Sequence, residues 1–100
     1  MKKLTNEFTG KSILFTGDFR LINDKWMYWL LCEMAEATFK KTVSKKLDFV
    51  VTGAKAGPAK LNEVERLNGE GCKIEVISEE LFFKRFFELE VVPPYISFYY

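Results

Sequence analysis

The sequence Ser-Ile-Leu-Phe-Thr-Gly at residues 12–17 decides the fold of this chain. Its consecutive apolar residues are typical of a strand covered on both faces, as the central strands of parallel sheets are. Gly17 permits a sharp turn after the strand, and Thr16 places a hydroxyl at the strand's carboxyl end. Ligands of open α/β sheets bind outside that end of the strands. The sequence therefore predicts a functional site at this corner.

The flanking segments predict three further strands and three helices. A second buried strand, from Leu47 to Val51, is again followed by a Thr-Gly pair, and two weaker strands are predicted at 38–39 and 72–77. Turn, cap and proline positions predict helices from 23 or 24 to about 35, from 58 to about 68, and from a Ser78 N-cap onward. This β-α-β-β-α-β-α order predicts a small parallel sheet with helices on both faces.

Apolar periodicity predicts which side of each helix faces the core. The inward positions expected from it are Met27, Leu30, Leu31 and Met34 on the first helix, Leu61, Val64 and Leu67 on the second, and Leu81, Phe82, Phe83 and Phe86 on the third. Trp26, Tyr28 and Trp29 spread beyond the inward face of the first helix. We therefore expect part of that aromatic surface to be exposed.

Composition indicates one domain over residues 1–100 and argues against catalysis. Apolar residues make up 48% of the chain and ten residues are Phe, which argues against disorder. Histidine is absent, and with it the usual general base and the commonest metal ligand. The pair Glu79-Glu80 is interpreted as a solvated helix face, and Cys32 and Cys72 as buried free thiols. We expect a cytoplasmic, non-catalytic protein with no cofactor, metal, small-molecule substrate or membrane partner.

Charge is unevenly distributed along the chain. Residues 38–60 hold six Lys against one Asp, whereas residues 61–90 hold eight Glu against four basic residues. A basic face of this kind suits phosphate groups. Lysines beside an edge strand also discourage aggregation, and this alternative stays open. The lysines expected on this face are Lys40, Lys41, Lys45, Lys46 and Lys55.

Four segments in order resemble a BRCT domain. They are Thr16-Gly17 after its strand, the Val-Ser-Lys-Lys-Leu-Asp-Phe-Val-Val-Thr-Gly run at 43–53, Gly-Pro-Ala-Lys-Leu at 57–61, and Ile-Glu-Val-Ile-Ser-Glu-Glu-Leu-Phe at 74–82. The resemblance covers residues 9–88 and is strongest to the BRCT modules of bacterial NAD-dependent DNA ligases and of the clamp-loader large subunit. Glu36-Ala37 replaces the family's Gly-Gly, and Phe82 or Phe83 replaces its Trp. Residues 89–100 form an aromatic extension outside the pattern.

This resemblance implies both a fold and a ligand. The family fold is a three-layer α/β structure with a four-stranded parallel sheet in the order 2-1-3-4. Its members have no catalytic activity and bind phosphoserine peptides, 5′-phosphorylated DNA ends or other BRCT domains. The residues that match the family's phosphate pocket are Thr16, Gly17 and Lys60, with Lys25 as a further candidate. The alternative is that Thr16 only closes a turn and Lys60 is solvated.

Two classes of function follow from these residues. In the first, the chain serves DNA replication or repair by holding a 5′-phosphorylated DNA end, in the nucleoid of a bacterium or the nucleus of a eukaryote. The residues predicted to follow the DNA backbone in that case are the five lysines of the basic face: Lys40, Lys41, Lys45, Lys46 and Lys55. In the second, it binds a protein, either a phosphopeptide or a second copy of itself. An apolar interface for the second class is predicted from Trp26, Tyr28, Trp29, Tyr95 and Phe98. The alternative for the tail is that it folds back over the domain.

Overall fold

Four parallel strands form the centre of the computed structural model, which describes residues 5–21 and 25–88. The strands are β1 (Ser12–Thr16), β2 (Thr38–Lys40), β3 (Phe49–Thr52) and β4 (Glu75–Ser78), and the helices are α1 (Lys25–Met34), α2 (Pro58–Gly69) and α3 (Glu79–Phe86). The sheet order is β2-β1-β3-β4, with every neighbouring pair parallel. This confirms the predicted α/β class, strand order and sheet direction.

Two hydrophobic cores lie on opposite faces of the sheet, because successive strand residues point to opposite sides. Ile13 and Phe15 of β1 face the larger core, which α1 and α3 cover. Leu14 faces the smaller core, which α2 covers with Val64 and Leu67. The central position of β1, paired with β2 on one side and β3 on the other, explains its uninterrupted apolar sequence.

The buried side of α1 differs from the prediction. Tyr28 and Cys32 are each 1% exposed, whereas Leu30 and Met34 are only partly buried. The helix packs against the sheet and α3 together, so its buried arc is turned toward Tyr28. On α3, the prediction for Leu81 is wrong, since its side chain is 40% exposed while Phe82, Phe83 and Phe86 fill the core.

Local signals at the helix ends agree with the prediction where the structure describes them. The Ser78 hydroxyl accepts a hydrogen bond from the Leu81 N–H, which confirms Ser78 as the N-cap of α3. Pro58 occupies the first turn of α2 after Gly57. The turn after α1 places Glu36 at φ 57°, so Glu36 takes the left-handed conformation that glycine adopts most readily.

Two of the predicted features lie outside the described residues. These are the N-cap of α1 at residue 23 or 24 and the aromatic extension at 89–100. Across residues 5–21 and 25–88, none of the helices combines the length and apolar character needed to span a bilayer.

Candidate functional site

The corner after β1 is held together by backbone contacts that only glycine permits. Asp18 and Ala54 exchange two backbone hydrogen bonds, with N···O distances of 2.6 and 2.8 Å. Gly17, directly before Asp18, has φ 104°, and a Cβ there would lie 2.8 Å from the Ala54 carbonyl oxygen. The loops after β1 and β3 therefore meet directly at the carboxyl end of the sheet.

Thr16 joins the end of β1 to the start of α2. Its side chain is nearly buried, and its Oγ1 accepts a hydrogen bond from the Gly57 N–H at 3.2 Å. Gly57 is the N-cap residue of α2. A threonine hydroxyl that accepts one hydrogen bond still carries a proton to donate. The predicted turn-closing role and a ligand-binding role are therefore compatible at this residue.

Lys60 lies in the first turn of α2, but its ammonium group is directed away from the corner. Its Nζ donates to the Lys41 backbone carbonyl at 3.3 Å, which connects α2 to the end of β2. In the part of the chain that the structure describes, the predicted pocket is thus assembled only in part: Thr16 and Gly17 adjoin, and Lys60 reaches elsewhere. Lys25 begins α1, and its side chain lies outside the described set.

A cleft of about 620 Å³ opens beside this corner, between α1 and the end of β2. It exists because β2 pairs with β1 only as far as Leu14, while β1 continues to Thr16. The side chains that line it are mostly aromatic or basic: Leu14, Phe15, Trp26, Tyr28, Trp29, Phe39, Lys40, Lys41 and Lys60. Sequence patterns indicated the aromatic and basic residues separately but not that they meet in one cleft.

Only two of the five lysines predicted to follow a DNA backbone lie at the cleft. Lys40 and Lys41 line it, whereas Lys45, Lys46 and Lys55 do not. These three are exposed on the turn before β3 and on the loop after it. Their part in nucleic-acid binding stays a prediction.

The structure corrects the predicted place of Tyr28 in an exposed interface. Its ring packs with Phe15 and Phe19, each at a centroid distance of 4.7 Å, and its hydroxyl donates to Glu79. Trp26 and Trp29, in contrast, are 55% and 42% exposed. Tyr95 and Phe98 lie outside the described residues.

Glu79 is a structural residue that the sequence interpretation missed. It was predicted on a solvated face, but its carboxylate is 3% exposed and accepts hydrogen bonds from the Arg20 N–H, the Leu21 N–H and the Tyr28 hydroxyl. Glutamate in the first turn of a helix is ordinarily explained by the helix dipole, so the pattern gave no sign of burial. Glu79 positions the loop that follows Gly17.

The two cysteines occupy different environments. Burial, with a smaller contribution from Glu33, raises the pKa of the Cys32 thiol to about 12. A thiol held in its protonated form is a poor nucleophile. Cys72 is partly exposed, in contrast to the predicted burial. The structure, within the residues it describes, gathers no group of three His, Cys, Asp or Glu side chains that could hold a metal ion.

Comparison with known proteins relates this chain to part of a larger protein. No protein-family model matches the chain. In an alignment of 84 residues that covers 83% of the chain, it is 37% identical to a protein named DNA ligase from Geotalea daltonii (strain DSM 22248 / JCM 15807 / FRC-32). The chain spans 11% of that protein's length. The similarity thus concerns a small part of a much larger protein.

Proposed function

We propose that this chain is a BRCT-like, non-catalytic module that serves DNA replication or repair by binding 5′-phosphorylated DNA ends. The proposal draws on the resemblance of residues 9–88 to BRCT domains, on the β2-β1-β3-β4 sheet order and on the similarity to part of a DNA ligase. A match to so small a share of a ligase suits an accessory module better than the ligase's catalytic apparatus.

One observation carries the proposed site: the Thr16 hydroxyl bonds to the N-cap residue of α2, and Lys60 lies one helical turn later. The first turn of a helix presents backbone N–H groups and a favourable dipole to an anion. In the proposed complex, the Thr16 hydroxyl and the Gly17 N–H donate to phosphate oxygens. A charged donor is then needed, and charge-assisted hydrogen bonds are the stronger kind.

In this proposal Lys60 supplies that charge. Residues three apart lie on the same side of a helix, so Lys60 and Gly57 share one side of α2. In the proposed complex, the Lys60 ammonium group turns from the Lys41 carbonyl to the phosphate at the corner. Its hydrogen bond to the Lys41 carbonyl, at 3.3 Å, is longer than the usual 2.7–3.2 Å range of such bonds. An anionic phosphate attracts an ammonium group more strongly than a neutral carbonyl does, which favours exchange of this bond for one to the phosphate.

The test is a titration with two blunt DNA duplexes of identical sequence, one ending in a 5′-phosphate and one in a 5′-hydroxyl, at constant salt. We expect tighter binding of the phosphorylated duplex. Lys60→Gln should reduce that preference about tenfold, which corresponds to the loss of one charge-assisted hydrogen bond. Lys84→Gln, an exposed lysine on α3, is the matched charge control.

A second pair of variants tests the hydroxyl. Thr16→Val removes the oxygen at nearly constant volume, and Thr16→Ser keeps it. We expect the valine variant to lose the preference for the 5′-phosphate and the serine variant to retain it, with circular dichroism to show that both are folded. Equal affinity of the natural chain for the two duplexes contradicts the proposed function.

A further inference from the structure

We infer that the cleft between α1 and the end of β2 binds unpaired nucleotides of single-stranded nucleic acid. This inference goes beyond the proposed recognition of a 5′-phosphate and does not depend on it, because the cleft requires no terminal phosphate. It rests on three features that meet in one place: a preformed opening, exposed indole rings and a basic rim.

The opening is built by the unequal lengths of two strands. β2 ends at Lys40, opposite Leu14, while β1 continues for two more residues with β3 as its partner. The base of the cleft consists of packed rings, since Phe15 stacks on Phe39 at a centroid distance of 5.6 Å and packs against buried Tyr28. The volume of about 620 Å³ falls within the range of preformed ligand clefts, about 300–1,000 Å³.

The side of the cleft formed by α1 presents two tryptophans. Trp26 and Trp29 lie three residues apart, hence on one side of the helix, and both are about half exposed. Adjacent exposed aromatic rings with polar residues at their rim are typical of an interaction site. Flat rings of this kind are what unpaired bases stack on, and every base offers such a face whatever the sequence.

The rim has the charge that a nucleic-acid strand needs. Lys40, Lys41 and Lys60 line the cleft, and the described residues of its lining include no carboxylate. A strand with one base stacked on an indole would place its neighbouring phosphates at this rim. Double-stranded DNA cannot make the same stacking contact, because its bases are already stacked on one another. An apolar protein partner would leave the three lysines without counter-charges.

The chain carries its own probe of the cleft. It has two tryptophans in all, and both line this opening, so its intrinsic tryptophan fluorescence reports on the cleft alone. The ligand to use is an oligothymidylate of about 12 nucleotides with a 5′-hydroxyl, a length within the usual site sizes of single-strand binders. We expect saturable quenching of the tryptophan emission.

A matched ligand separates stacking from charge. An abasic oligonucleotide of the same length has the same phosphates and no bases. We expect it to bind the natural chain roughly 5- to 150-fold more weakly than the oligothymidylate, which is the loss expected for one stacked base. Equal binding of the two ligands overturns the inference, and so does binding of oligothymidylate without quenching.

Protein variants test the same contact from the other side. Trp26→Leu should weaken binding of dye-labelled oligothymidylate by a similar factor, and Trp26→Phe should retain most of the affinity. Leu81→Ala, at another half-exposed apolar residue, is the control and should bind normally. The inference is wrong if oligothymidylate does not bind and the natural chain self-associates in a way that Trp26→Leu abolishes. The cleft is then an interface between copies of the chain. Loss of the 5′-phosphate preference alone affects only the proposed function.

Discussion

Removal of the buried Glu79 side chain should destabilise the domain strongly. Its two oxygens accept three hydrogen bonds, at 2.9 Å from the Arg20 N–H, 2.8 Å from the Leu21 N–H and 3.0 Å from the Tyr28 hydroxyl. In Glu79→Ala these donors lose their partner, and the last two lie in buried surroundings. Each buried unsatisfied donor costs about 1–3 kcal/mol, and water can reach the third more readily.

The sum for Glu79→Ala is a loss of about 3–5 kcal/mol in the free energy of unfolding, a large share of the roughly 5–15 kcal/mol typical of a domain. Urea denaturation at pH 7 measures it through the shift in midpoint at constant slope. Tyr28→Phe, which removes one donor of the three, should lose about 1 kcal/mol.

The neighbouring carboxylate is the control. Glu80 forms a 2.9 Å ion pair with Arg20, but both side chains are about half exposed, so Glu80→Ala should change stability by at most about 1 kcal/mol. If Glu79→Ala loses no more stability than Glu80→Ala, the carboxylate does not satisfy three donors in solution and the reasoning fails.

Three further measurements test other parts of the structure. Gly53→Ala should lower the free energy of unfolding by about 3 kcal/mol, because the added Cβ would lie 2.3 Å from the Asp18 carbonyl oxygen. Gly69→Ala, which has open space around it in α2, should raise the free energy of unfolding by up to about 1 kcal/mol. Equal urea midpoints for the two variants would contradict this. A thiol reagent at pH 8 should modify Cys72 in the native chain and reach Cys32 only in urea, and rapid modification of both native thiols would show that Cys32 is accessible. Because the pKa of Cys32 rises from 9.0 to about 12 on folding, the thiol of the unfolded chain loses its proton at lower pH than the thiol of the folded chain. The stability that depends on this proton is complete below pH 9 and is lost as pH rises toward 12. Between pH 7 and pH 10, the free energy of unfolding should therefore fall by about 1.4 kcal/mol less in Cys32→Ala than in the natural chain.

The order of the elements along the chain and the corner were predictable from local sequence patterns, whereas the strand order within the sheet was implied by the resemblance to BRCT domains. Uninterrupted apolar runs mark β1 and β3, and each ends at Thr-Gly, which identifies the carboxyl edge of the sheet. The choice of Thr16 and Gly17 as the corner residues follows from those runs alone. The partner of the Thr16 hydroxyl was not predictable, since Gly57 reaches it only through the conformation of the loop after β3.

The misplaced residues share a physical cause. Apolar periodicity predicts a single buried face for each helix. However, α1 contacts both the sheet and α3, so Tyr28 is fully buried and Leu30 only partly. On α3, three phenylalanines compete for the core and leave Leu81 at the surface. The direction of Lys60 depends on where β2 ends, a length that no pattern around Lys40 indicates.

The parallel pairing of all four strands has a consequence for how the chain folds. Every contact between neighbouring strands joins residues far apart in sequence: Ser12 with Thr38, Ile13 with Phe49, and Phe49 with Glu75. The sheet therefore has no hairpin that can form early, and each pairing requires closure of a long loop before any of its hydrogen bonds form. During synthesis β1 emerges first and has no partner strand until β2 has followed it. The apolar strand β1 therefore stays unpaired until its neighbouring strands have been synthesised. The rate of folding depends on this topology more than on the strength of any one contact.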